Sequence, residues 1–153
     1  MLRAVASVIV GYIVMAAIVM IGLTGLYLAI GTERAFEPGA WTPSKFWIAI
    51  MIVVGIIAAL VGGLTCKAIA RSNKPPRVLA GIVLVLGILM AVMAMGKAAP
   101  TDPRGPEVSN IDAMNKAVTP AWVNLANAFI GFLGVMVGAG MGKDHAGGTK
   151  PTP

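Results

Sequence analysis

Four stretches of this chain contain no charged side chain: residues 4–32, 46–66, 78–96 and 117–142. A bilayer core of about 30 Å takes roughly 20 helical residues at about 1.5 Å each, and each stretch supplies that number or falls one short. Dissolving polar groups in oil is costly, so uncharged runs of this length belong in lipid. The sequence therefore predicts an all-α integral membrane protein of four transmembrane helices joined by short loops, with spans at about 4–30, 46–66, 78–96 and 120–142.

Composition agrees with that reading. Only 12% of the 153 residues are charged, against about 25% in soluble domains. Four spans occupy most of the chain, and the longest other segment, residues 97–119, is too short for a soluble core. The expectation is a single membrane domain over residues 1–142 and a polar, Gly- and Pro-rich tail over 143–153 that does not fold alone. The first apolar run is nearly twice the ~15-residue upper limit for the core of a signal peptide, so it reads as an uncleaved span that doubles as the insertion signal.

Charge gives an expected threading. With the amino terminus in the cytoplasm, Arg3, Lys67, Arg71, Lys74, Arg77, Lys143 and Lys150 lie inside against one acid, Asp144. Arg34, Lys45, Lys97, Arg104 and Lys116 then lie outside, matched by Glu33, Glu37, Asp102, Glu107 and Asp112. The whole net charge of +6 falls on the inner face. Lys67, Arg71, Lys74 and Arg77 crowd the R-S-N-K-P-P-R turn beside two span ends, where basic residues most strongly hold a loop inside. Both termini are expected to be cytoplasmic, in a cell membrane of the bacterial inner-membrane type. The basic rim can also attract anionic lipid headgroups, at about 1 kcal/mol per cation near the surface, although topology alone accounts for it. Trp41, Trp47 and Trp122, with Tyr27, fall at the outer ends of spans, as expected of an aromatic belt.

Local signals refine the boundaries. T-P pairs at Thr42 and Thr119 are expected to cap the second and fourth spans, with proline at the first helical position. Residues 100–106, P-T-D-P-R-G-P, read as an extended, exposed turn. Ser109 and Asp112 then match a capping pattern, and a short helix at the outer surface is expected over 110–118. The two T-P starts are 77 residues apart, which hints at a duplicated helix pair in parallel orientation.

Helices in lipid associate where small residues let backbones approach. The fourth span carries the densest such stripe: Asn124, Asn127, Gly131, Gly134, Gly138 and Gly142. Sparser stripes run through Gly55, Ala59 and Gly63 on the second, Gly11, Ile18, Gly22 and Gly25 on the first, and Ala80, Gly87, Ala91 and Ala94 on the third.

Chemistry is scarce. Ionisable residues inside the bilayer mark proton relays and ion pathways, and the four runs hold none. A small multidrug transporter shares the four helices but depends on a Glu in its first span, where this chain has no acid. Cys66 is alone, so no disulfide, C-x-x-C pair or zinc site is expected. His145 lies in the tail, away from any nucleophile in a span. Met90, Met93 and Met95 suggest a soft-metal path only formally, because Met at this density in an apolar span serves packing. No catalytic residue, metal or cofactor is expected. The leading expectation is an accessory or oligomeric subunit that acts through helix contacts, with the lipid bilayer and another copy or membrane protein as partners and no nucleic acid. A facilitator or channel for a neutral or lipid-like solute, lined by Asn124, Asn127 and Thr24, is the alternative. An outer-rim enzyme using Asp102, Glu107 or Asp112 is the poorest, since a proline-broken loop is a weak platform for catalysis.

Overall fold

The computed structural model describes residues 2–98 and 100–141. Gly142 and the 143–153 tail, with His145, lie outside the described residues. Six helices follow in order: α1 (Leu2–Ile30), α2 (Thr32–Ala35), α3 (Lys45–Ala70), α4 (Lys74–Met95), α5 (Asn110–Lys116) and α6 (Ala121–Met141). Among these residues there is no strand, only an isolated antiparallel bridge between Phe36 and Pro43. Four helices, α1, α3, α4 and α6, are long and apolar enough to cross a bilayer.

Three of them overrun the charge-free stretches, α1 only by Leu2 and Arg3. α3 continues through Lys67 to Ala70, and α4 begins at Lys74, four residues ahead of the uncharged run. Charged residues at helix ends keep their apolar stems on the bundle and their heads toward water, so a change in composition does not stop the backbone. Pro75 and Pro76 fit the first turn of α4, where a backbone N–H has no helical acceptor in any case. Between the two helices only residues 71–73 remain. Arg71 makes the turn in the left-handed region, at φ 55°, and its N–H donates to Lys67 O at 2.8 Å.

Thr42 does not cap α3. Ser44 does, its Oγ accepting from the Trp47 N–H at 3.1 Å. Thr42 and Pro43 are drawn into the loop instead: Glu37 N donates to Thr42 O at 3.0 Å, and Ser44 N donates to Ala35 O at 2.9 Å. At the other T-P pair, α6 starts at Ala121, one residue later than the pattern suggests. The expected short helix is present as α5, with Ser109 Oγ accepting from the Asp112 N–H at 3.1 Å.

In the bundle α3 and α6 form the central pair, α1 lies along α3, and α4 lies along α6. A shorter contact joins α1 to α4, and α1 does not touch α6. Small residues set these approaches. Gly134 meets Ala59, Gly138 meets the Leu60 backbone, Gly63 meets the Val135 backbone, and Gly87 meets Ala128. Gly131 faces Val83, and Gly11 faces Leu79, Cys66 and Gly62. Gly131, Gly134 and Gly138 of α6 are thus spent on contacts within the chain. Ala59, Cys66, Leu79, Ala80 and Val135, all without exposed surface, close the half of the bundle nearest the 71–73 turn.

Candidate functional site

The two ends of the bundle differ in kind. At the 71–73 end the described charges are all basic: Arg3, Lys67, Arg71, Lys74 and Arg77. Lys67 is buried and donates to Asn73 Oδ1, while Arg3 Nε donates to Ile69 O at 2.7 Å. These contacts fasten the α3 end and leave Arg71, Lys74 and Arg77 exposed.

At the opposite end the two longer loops build a cap. Residues 100–106 form a non-helical turn, exposed at Thr101, Asp102, Pro103, Gly105 and Pro106 as expected, but Arg104 within it is buried. The Arg104 side chain is 1% exposed, although its partner Glu33 is 67% exposed. Its guanidinium reaches Glu33 Oε1 at 3.3 Å, Nε donates to Ala40 O at 3.1 Å, and Cζ lies 5.5 Å from the centre of the Phe36 ring. The Arg104 N–H donates to Gly39 O at 3.1 Å. A guanidinium has five donors, so one side chain can satisfy several loop carbonyls that no helix or strand would pair.

Aromatic residues complete the cap. Trp41 is 9% exposed, with Nε1 donating to Asp102 O at 3.0 Å and the Lys116 ammonium 5.2 Å from its ring. It is an internal element of the cap, whereas Trp122 is 60% exposed. Tyr27, at the end of α1, donates its hydroxyl to Val108 O at 2.8 Å and packs edge-on against Trp47. Lys97 closes the far side, donating to Asn115 O at 2.6 Å and Ala117 O at 2.9 Å.

Beneath this cap a cavity of about 240 Å³ lies between α1, α3 and α5. Its wall is mostly apolar, with Leu23, Phe36, Trp47 and Met51 among the lining residues, and among the described residues no charged side chain takes part. Polar atoms come from Thr24, Tyr27, Asn110 and Thr119. Asn110 Nδ2 donates to Thr24 Oγ1 at 3.3 Å, so α5 is pinned to α1 across the pocket. A second hollow of about 450 Å³ lies between α4 and α6, lined by Met90, Met93, Lys97, Thr119 and Asn124.

The sequence-predicted polar residues are thereby separated. Thr24 belongs to the cavity under α5, and Asn124 to the α4–α6 hollow. Asn127 points at α3, its buried Oδ1 without a hydrogen-bond donor among the described residues and 3.9 Å from where a Gly55 Cβ would stand. Asp102, Glu107 and Asp112 are exposed in the cap, and Asp112 accepts from Ser109 Oγ at 2.8 Å. Among the described residues no three His, Cys, Asp or Glu side chains gather as a metal site. Comparison with known protein families, with curated proteins and with solved structures returned no match. The cap residues Arg104 and Asn110 carried no motif of their own; the one available signal was a single Arg among prolines, next to a helix-capping Ser.

Proposed function

We propose that the protein is a multi-pass membrane protein without chemistry of its own, an accessory subunit or oligomer that holds other membrane components. One observation carries this reading: the axis near the basic end is filled by Ala59, Cys66, Leu79, Ala80 and Val135, while α1 is covered on one side only. A close-packed apolar core suits a scaffold better than a conduit. Ile9, Ile13, Ile21 and Leu28 of α1 remain largely exposed and form the contact face. The facilitator alternative has less support, because Thr24, Asn124 and Asn127 do not share one lining.

In this reading both termini face the cytoplasm of a bacterial-type cell, since the uncompensated cations Arg71, Lys74 and Arg77 cluster at one end and the balanced cap lies at the other. The same cations meet anionic headgroups there. The test is photo-crosslinking in native membranes from Ile9 and Ile13, with the exposed Val85 of α4 as control. Discrete protein adducts from the α1 positions alone are expected. If all three positions yield lipid adducts only, the subunit reading fails.

A further inference from the structure

We infer that the cavity under α5 is a binding site for an uncharged lipid bearing hydroxyl and ester groups, such as a monoacylglycerol, taken from the surrounding leaflet. The observation is a pair of adjacent polar side chains in an otherwise apolar wall. Thr24 Oγ1 accepts from Asn110 Nδ2, but among the described residues its own hydrogen has no acceptor. Asn110 Oδ1 likewise receives no donor, although its amide nitrogen is engaged with Thr24 and Met114. Tyr27, by contrast, is satisfied by Val108 O and Thr32. The lining thus sets a hydroxyl and an amide side by side, which match an ester carbonyl and a hydroxyl.

Charge and size narrow the class. Among the described residues no Lys, Arg, Asp or Glu lines the wall, so a carboxylate or phosphate entering it would leave its hydration without a counter-ion. A volume of about 240 Å³ falls just below the range of roughly 300–1,000 Å³ usual for drug-sized ligands, enough for a small head and the first part of one chain. Met20 and Met114, each 59% exposed, flank the opening. Methionine there yields readily to an incoming chain.

The test uses the full-length protein in nanodiscs with an alkyne-tagged monoacylglycerol carrying a diazirine in its chain. Adducts are expected in peptides covering residues 19–27 and 110–119. Loss of one neutral hydrogen bond corresponds to roughly a three- to tenfold fall in labelling for Thr24→Val, with labelling retained in Thr24→Ser. Thr24→Val also removes the Asn110 bond that pins α5, so hydrogen exchange of the α5 amides is read alongside: a fall in labelling with α5 exchange unchanged is expected, and a fall accompanied by faster α5 exchange would overturn the site. Labelling spread evenly over the lipid-facing helices, or unchanged in Thr24→Val, would overturn the site. Equal labelling by the matching fatty acid or by phosphatidylglycerol would overturn the uncharged class.

Discussion

Gly134 and Ala59 approach so closely that a Cβ on the glycine would stand 2.6 Å from that of the alanine. The contact joins the two central helices, and neither backbone can retreat without disturbing Gly138 against Leu60 and Gly63 against Val135. Gly134→Ala should therefore destabilise the bundle by about 1–3 kcal/mol, the usual cost of overpacking. Gly140, on the same helix, has open space where its Cβ would go. Gly140→Ala should be neutral, or stabilising by up to about 1 kcal/mol through helix propensity. Thermal unfolding in a mild detergent, with both variants run together, separates packing from propensity.

Arg104 holds the cap through carbonyls more than through its ion pair. Glu33 is mostly in solvent, so Glu33→Gln should cost less than about 1 kcal/mol. Arg104→Ala removes the donors to Ala40 O and Gly105 O and the cation over Phe36. Left unpaired, those groups should weaken the cap by about 1–3 kcal/mol. Hydrogen exchange reads the difference. The Val118 amide, which donates to Trp41 O at 2.9 Å, should exchange faster in Arg104→Ala and nearly as in the native protein in Glu33→Gln.

Sidedness follows from thiol labelling. Cys66 has no exposed surface and sits 3.8 Å from Ser7 Oγ, so a membrane-impermeant maleimide should not reach it in the folded protein. Ser72→Cys, in the turn between α3 and α4, should react only in inverted vesicles, and Thr101→Cys, in the cap loop, only in intact spheroplasts. The reverse pattern would invert the orientation and leave the helices as described.

The four spans were legible because their cause is local: a run without charge needs only its own residues to be costly in water. The α5 cap was legible for the same reason, as Ser109 and Asp112 are three residues apart. What sequence reasoning lost was nonlocal. Thr42 has the right chemistry to cap a helix, yet Ser44 does so because Ala35 and Glu37 pull the preceding residues into a loop. Arg104 read as one more exposed cation, since nothing in P-R-G announces carbonyls contributed by Ala40 from 64 residues away. Trp41 and Trp122 look alike as belt residues, and only the cap distinguishes them. The stripe through Asn124 and Asn127 joined two residues close on the helix surface that the packing sends to different neighbours, because α6 lies between α3 and α4.

That separation makes Asn127 a discriminating position. Its Oδ1 is buried against α3 with no donor among the described residues, a situation that costs roughly 1–3 kcal/mol by mutational measures. Replacing the amide with an apolar group of similar size removes that penalty, and Gly55 opposite leaves room for the change. Asn127→Leu should thus raise the unfolding midpoint, whereas Asn124→Leu, at the edge of the α4–α6 hollow, should leave it nearly unchanged. A membrane amide that bonds to a neighbouring helix contributes about 0.6–2 kcal/mol, so a role as interhelical glue gives the opposite sign. A lowered midpoint in Asn127→Leu that is insensitive to protein concentration would point to a bound water or ligand. A fall that grows on dilution would place the missing donor on a second copy of the chain, and the oligomeric reading would then rest on this residue.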